Sequence, residues 1–296
     1  MRMRPLLILL AVQLVIATAF LVLVASGNLP FTGSDDGKAA STKVNRFDGS
    51  AAFKLLKLQL SYGERPAGSQ QSRKLAAKLR SLLPDGRFQK VPHGLRNVVG
   101  TVAGKQPNRF VVVGAHYDSK DIPGFLGAND GAGGTAAVVQ LARQLKPRTI
   151  APTVKFVLFD GEETPRGVPD SQFLQKGLRG SKVAAREFAD ADAMILLDFV
   201  ADKHLSLPRE GSSDIRLWGK LRSAAGRAGV GAYFPDSSDV QIEDDHTPFL
   251  KRGVPSINLI DWDFSCWHKT CDNLSAVSER SLDISGEAVA GLLPTL

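Results

Sequence analysis

The chain has 296 residues, 43% hydrophobic and 23% charged, the balance of a globular protein with a sizeable core rather than a disordered or fibrous one. Its formal charge is +7, but Lys and Arg are scattered and form no basic run interleaved with aromatics, which argues against nucleic acid and for a basic solvated surface beside an anionic membrane. No internal repeat or extended low-complexity tract is present, which excludes a solenoid; length alone allows one large domain or two small ones.

Arg2 and Arg4 precede an apolar run over residues 6–25, broken only by Gln13. About 20 apolar residues span a bilayer, and positive charge ahead of them keeps the N-terminus in the cytoplasm and exports the remainder of the chain. Residues 1–27 therefore read as an uncleaved signal-anchor or, because Ala25-Ser26-Gly27 suits a signal peptidase, as a cleaved signal peptide. Residues 28–50, rich in Gly, Ser, Asp and Lys, read as a flexible linker.

Residues 51–296 carry the domain. Apolar residues at helical spacing predict helices over 51–62 and 69–83. Strands follow at 97–102 and 109–115, the second buried through Phe110-Val111-Val112-Val113. A small-residue helix at 132–145 precedes short apolar strands at 154–159, 194–197 and 255–260, with helices at 214–228 and 278–293. Strands apolar almost throughout, mixed with helices, imply an α/β single domain: a central, mostly parallel mixed sheet with helices on both faces. In such sheets, sites form beyond the carboxyl ends of the strands.

Each central strand ends on polar residues. Strand 109–115 runs into His116 and Asp118, strand 154–159 into Asp160, Glu162 and Glu163, and strand 194–197 into Asp198. A carboxylate abutting a buried strand is costly unless paired, hydrogen-bonded or bound to metal. With Asp130 in the glycine-rich loop 127–131, these groups call for a common counter-charge, and a divalent cation supplies it better than separate arginine pairs. His116 and Asp118 lie two apart and face one side in extended chain, so Asp118 is placed to accept the second ring N–H of His116. The adjacent Glu162 and Glu163 diverge, which suits one to the metal and the other to general acid–base work. The two cysteines, Cys266 and Cys271, bracket His268; in an exported chain a local disulfide is the first reading and a thiolate metal site the second. His93 and His204 read as surface residues, and His246 as orienting Asp244 or Asp245.

Gly114-Ala115-His116-Tyr117-Asp118-Ser119, Gly127-Ala128-Asn129-Asp130 and Phe159-Asp160-Gly161-Glu162-Glu163, in this order, resemble the M28 zinc aminopeptidase superfamily. The stretch Glu243-Asp244-Asp245-His246-Thr247-Pro248-Phe249, followed by Trp267-His268-Lys269-Thr270, looks like the glutaminyl-peptide cyclotransferase branch within it. The resemblance covers nearly all of the chain after about residue 51. It implies Asp130, Glu163 and His268 as zinc ligands, Glu162 as the proton-shuttling carboxylate, and Asp198 and Asp244 as acidic residues around it. Trp267 matches a tryptophan that holds the substrate amide, and Phe264 is assigned to substrate binding with it. His116 matches a histidine that, with Asp198, binds a second zinc in the aminopeptidases but not in the single-zinc cyclases. Segment 164–170 departs from the animal cyclases in lacking their pocket tryptophan.

The activity implied is conversion of N-terminal glutamine to pyroglutamate with release of ammonia, using one zinc. The alternatives are a dizinc aminopeptidase and a non-catalytic exported peptide-binding domain. The partners implied are peptides or proteins with a free N-terminus and, through the N-terminal helix, a membrane; nucleic acid is not among them, and the chain is expected to be a monomer. Its place is extracytoplasmic, on a single-pass anchor in the cell membrane or secreted.

Overall fold

The computed structural model describes residues 46–238 and 240–296, so the expected signal-anchor and most of the expected linker lie outside the described residues. Among the described residues, no helix is long and apolar enough to cross a membrane. Helix α1 (Gly49–Leu60) starts two residues ahead of its expected position because Asp48 caps it, accepting the Ala51 N–H at 2.9 Å. Phe47 before it is buried, so the end of the expected linker packs with the domain. Helix α2 (Gln70–Leu82) is capped by Ser69, whose hydroxyl accepts the Ser72 N–H.

Strands β1 (Arg87–Val91), β2 (Leu95–Val102), β3 (Gln106–His116), β4 (Pro152–Phe159), β5 (Ala193–Leu197) and β6 (Ser256–Leu259) form a six-stranded sheet in the order β1-β2-β4-β3-β5-β6. The four strands β4, β3, β5 and β6 run parallel, while β2 is antiparallel to both β1 and β4. Helices α3 (Ala132–Gln144), α4 (Phe173–Lys176), α5 (Arg179–Glu187), α6 (Ile215–Ala228), α7 (Thr247–Leu250) and α8 (Glu279–Leu292) complete the domain.

Side chains alternate across the pleat and so feed two cores. Val111, Val113, Ile195 and Leu197 face the larger one, with α1, α2, α3, α6 and α8. Val112, Val157, Met194 and Leu196 face the smaller one, where Ala184 and Ala185 of α5 and Phe249 of α7 cover them. Helix α3 lies close against β5: a Cβ on its Gly134 would meet the Leu197 carbonyl oxygen at 2.0 Å.

β1 and α5 are not among the elements expected from sequence. β1 is a five-residue edge strand with three of its residues exposed or half-buried, so its apolar alternation is weak. α5 segregates its charged residues to one side, but the face it buries holds only the small Gly180, Ser181, Ala184 and Ala185.

Candidate active site

Parallel register brings the strand ends to one edge. His116 pairs with Phe159 across β3 and β4, Gly114 with Leu196 across β3 and β5, and Leu197 with Leu259 across β5 and β6. Glu162, Glu163, Asp198 and Asp130, which lie just beyond strand ends or in the loop beside them, thus line a cleft of about 260 Å³. The turn that delivers Asp130 passes through Gly131 at φ 90°, where a Cβ would meet the Asp118 carbonyl oxygen at 2.8 Å and His116 Cε1 at 2.9 Å.

Asp130 stands between two histidines. Its Oδ1 lies 3.2 Å from His116 Nε2, and its Oδ2 lies 3.6 Å from His268 Nε2. His268 Nε2 is also 3.3 Å from Glu163 Oε1, and His116 Nε2 is 3.5 Å from Asp198 Oδ1. Two ligand groups result, Asp130–Glu163–His268 and His116–Asp130–Asp198, each with donor atoms within 4.8 Å of one another. Asp130 Oδ2 is buried and has no hydrogen-bond donor, which a cation would remedy. Histidine nitrogen with carboxylate oxygens is a donor set that suits zinc. Burial alone would lower the pKa of His116, yet Asp118, Asp130 and Asp198 raise it well above the ordinary value. Burial would likewise lift Glu163, but His268 and Lys120 hold it below the usual carboxylate range.

The ligands are held from behind. His116 Nδ1 faces the Asp118 carbonyl oxygen at 3.1 Å, and donating there leaves Nε2 free to ligate. The expected carboxylate partner is 3.7 Å away; it instead accepts the backbone N–H groups of Gly161, Glu162 and Glu163. Asp272 accepts the N–H groups of Asn129 and Asp130 at 2.7 and 3.0 Å. The fully buried Arg65 donates to the carbonyls of Leu126 and Gly127 just ahead of them. Lys120 Nζ lies 3.0 Å from Glu163 Oε2, 3.0 Å from Thr164 Oγ1 and 3.4 Å from Asp170 Oδ1, fastening the segment after the glutamates. None of Arg65, Lys120 and Asp272 is assigned a role from sequence, although Arg65 lies in the segment Gly63-Glu64-Arg65-Pro66-Ala67-Gly68-Ser69, which also matches the family arrangement, and Lys120 directly follows the His116-to-Ser119 motif.

Glu162 is buried beside this centre. Burial raises its pKa well above the ordinary value, and the charges of Glu163, Asp244 and Asp245 raise it further. Asp198 is pushed up to about 7 by burial and by Asp244. Asp244 accepts from Asn258 Nδ2 at 2.8 Å, so its carboxylate is fixed on the wall of the cleft.

Cys266 and Cys271 form a disulfide with a Cα separation of 5.5 Å, enclosing Trp267 and His268. The Trp267 ring stacks on His268 with centroids 4.5 Å apart and lines the cleft while 39% exposed.

Three expectations need correction. Phe264 does not line the cleft; it is buried with its ring 5.9 Å from that of Phe199, which does. Asp160 leaves the acidic group, because its Oδ2 accepts the Arg96 N–H at 2.9 Å on the neighbouring strand. His246 turns from Asp244 and Asp245 toward Ser212 Oγ and Glu210 Oε2, at 2.9 and 3.2 Å. His93 and His204 are exposed, as expected.

A mixed α/β sheet whose parallel strands gather two histidines and a shared aspartate at their carboxyl edge fits the class of metal-dependent enzymes. The chain belongs to Peptidase family M28, whose pattern matches residues 97–293. The glutaminyl-peptide cyclotransferase of Bothrops jararaca is 28% identical over 245 residues, 68% of this chain and 67% of that protein. That of Drosophila melanogaster is 32% identical over 227 residues, 63% of this chain and 61% of that protein. Among solved structures, a glutaminyl cyclase from an Acidobacteriales bacterium matches with a TM-score of 0.72 at 29% identity, covering 84% of this chain and 94% of that one. A leucine aminopeptidase precursor from Bacteroides thetaiotaomicron shares the fold, with a TM-score of 0.76 at 24% identity over 86% of this chain and 99% of that one.

Proposed function

We propose that this chain is a zinc-dependent glutaminyl cyclase that converts the N-terminal glutamine of exported peptides or proteins to pyroglutamate. The observation that carries the reading is a buried, charge-crowded Glu162 beside the Asp130–Glu163–His268 ligand group. The cyclases among its relatives and structural neighbours support it.

Asp130, Glu163 and His268 would hold the zinc, which when bound would supply Lewis-acid polarisation of the substrate's γ-carbonyl. Glu162 takes a proton from the α-amine as that nitrogen bonds to the γ-carbonyl carbon. It returns the proton to the γ-amide nitrogen as that C–N bond breaks and ammonia leaves. A carboxylate serving both transfers benefits from a raised pKa, to which Asp244 contributes. Asp198 stands beside the same centre and Trp267 at its mouth, where an indole N–H orients the substrate amide. The disulfide supports an extracytoplasmic setting. In this reading residues 1–27 are an anchor or cleaved signal and the domain is a monomer.

A second reading, a dizinc aminopeptidase using Glu162 with water, is favoured by one observation: His116, Asp130 and Asp198 form a second ligand group. Incubation with a Gln-initiated peptide separates the two. Cyclisation releases ammonia and leaves the peptide otherwise intact, whereas free glutamine as sole product overturns the cyclase reading. Glu162→Gln should abolish turnover with zinc retained; undiminished turnover would sink the proton-shuttle role.

A further inference from the structure

One wall of the cleft is the run Gln241-Ile242-Glu243-Asp244, which belongs to no helix or strand. Backbone bonds from the Arg209 N–H to the Ser237 carbonyl and from the Gly211 N–H to the Val240 carbonyl lead into it, and beyond them side chains hold its backbone: Glu210 accepts the Ile242 N–H and Thr247 Oγ1 the Asp244 N–H. The anchor at Ile242 is Glu210, in the loop between β5 and α6, whose side chain is fully buried.

Glu210 Oε1 accepts the Ile242 N–H at 2.9 Å and the Ser212 N–H at 2.8 Å. Its Oε2 accepts the Ser213 hydroxyl at 2.9 Å. Ser213 Oγ in turn accepts the Asn258 N–H at 2.9 Å, and Asn258 Nδ2 donates to Asp244 Oδ2 at 2.8 Å. Two arms thus leave one carboxylate. One ends on the backbone of the cleft wall, and the other ends on the carboxylate of Asp244, which lines the cleft with Glu162. A buried carboxylate is retained only if its lone pairs are satisfied; Ser212 and His246 supply part of that here, and the contacts to Ile242 and Ser213 lead to the cleft.

We propose that Glu210 is a positioning residue: through Ile242 it sets the cleft wall, and through Ser213 and Asn258 it holds the Asp244 carboxylate beside Glu162. This rests on the functional reading above, because it assigns Asp244 a part in supporting Glu162. The two arms make separable predictions. Glu210→Gln keeps an acceptor for the Ile242 N–H but turns an amide toward Ser213, breaking the arm to Asp244. Ser213→Ala breaks that same arm, taking one donor from Glu210 Oε2 but leaving the Ile242 contact in place.

The test measures kcat and KM on a Gln-initiated peptide, zinc per chain and thermal midpoint for wild type, both single variants and the double. Each single variant should lower kcat by about tenfold, with KM and zinc content unchanged. The double variant should be no worse than either single one, because both cut one arm. Wild-type kcat in either single variant overturns the proposal. So do additive losses, or a loss of zinc and thermal stability that accounts for the loss of activity. A wild type that releases a free amino acid instead of ammonia refutes cyclisation alone, and the same comparison then runs on hydrolysis, which also uses Glu162. A wild type that does neither overturns both readings.

Discussion

The carboxylate of Asp272 accepts the backbone N–H of Asp130 at 3.0 Å, so the turn just after the disulfide holds the residue that faces both histidines. Asp272→Asn replaces one acceptor oxygen with an amide that opposes an N–H. Zinc affinity should fall by roughly 10- to 100-fold with the fold intact. Competition against a chromophoric chelator measures it, and an unchanged affinity would show that this buttress does not position the ligand.

The two ligand groups differ in what their loss should do. His268→Ala removes a donor from the Asp130–Glu163–His268 group and should abolish both zinc retention and cyclisation. His116→Asn should leave one zinc per chain and at least about a tenth of the activity. Elemental analysis with the product assay decides. Two zincs in the wild type, one lost in the His116 variant together with all turnover, would move the assignment to the dinuclear reading.

The disulfide closes a short loop around a residue in a demanding conformation. His268 has φ 52°, in the left-handed region that non-glycine residues seldom occupy. Reduction, or Cys266→Ser with Cys271→Ser, should lower stability by about 2 kcal/mol. It should also weaken zinc retention as His268 relaxes. Thermal melts with and without reductant, followed by metal analysis, test both; identical behaviour would mean that packing alone shapes the loop.

Stability should also depend on pH through Glu210. Burial would raise its pKa, but the hydrogen bond from His246 and the N–H groups of Ser212 and Ile242 hold it down to about 2. A carboxylate depressed in the folded state stabilises fully above its unfolded pKa, and that contribution is lost as pH falls through the folded value. Between about pH 4.5 and 2 the wild type should therefore lose on the order of 2 kcal/mol that Glu210→Gln does not lose. Urea melts across that range give the comparison, and parallel pH profiles would refute it.

Much of the site was visible in sequence because its signals are local. Apolar runs such as Phe110-Val111-Val112-Val113 define buried strands, and the polar residues that end them fall at one edge once the strands run parallel. Asp48, Ser69, Asp214 and Ser278 are helix caps, whose hydrogen bonds reach only three residues along the chain. Short or small-residue elements escaped: β1 is a largely uncovered edge strand, and α5 is a nine-residue helix whose buried face holds no large apolar side chain.

The sequence by itself determined that an α/β sheet would present carboxylates and histidines at its carboxyl edge, and the motif resemblance picked out Asp130, Glu163 and His268. Which groups meet was decided only by tertiary structure. Asp160 and Glu162 are two residues apart, yet one caps a neighbouring strand's N–H and the other enters the cleft. His246 meets Glu210 from 36 residues away, Lys120 meets Glu163 from 43 residues away, and Asp272 meets Asp130 from 142 residues away. Local periodicity records which face of an element is apolar. The approach of two polar side chains depends on how distant segments pack, and no local pattern carries that distance.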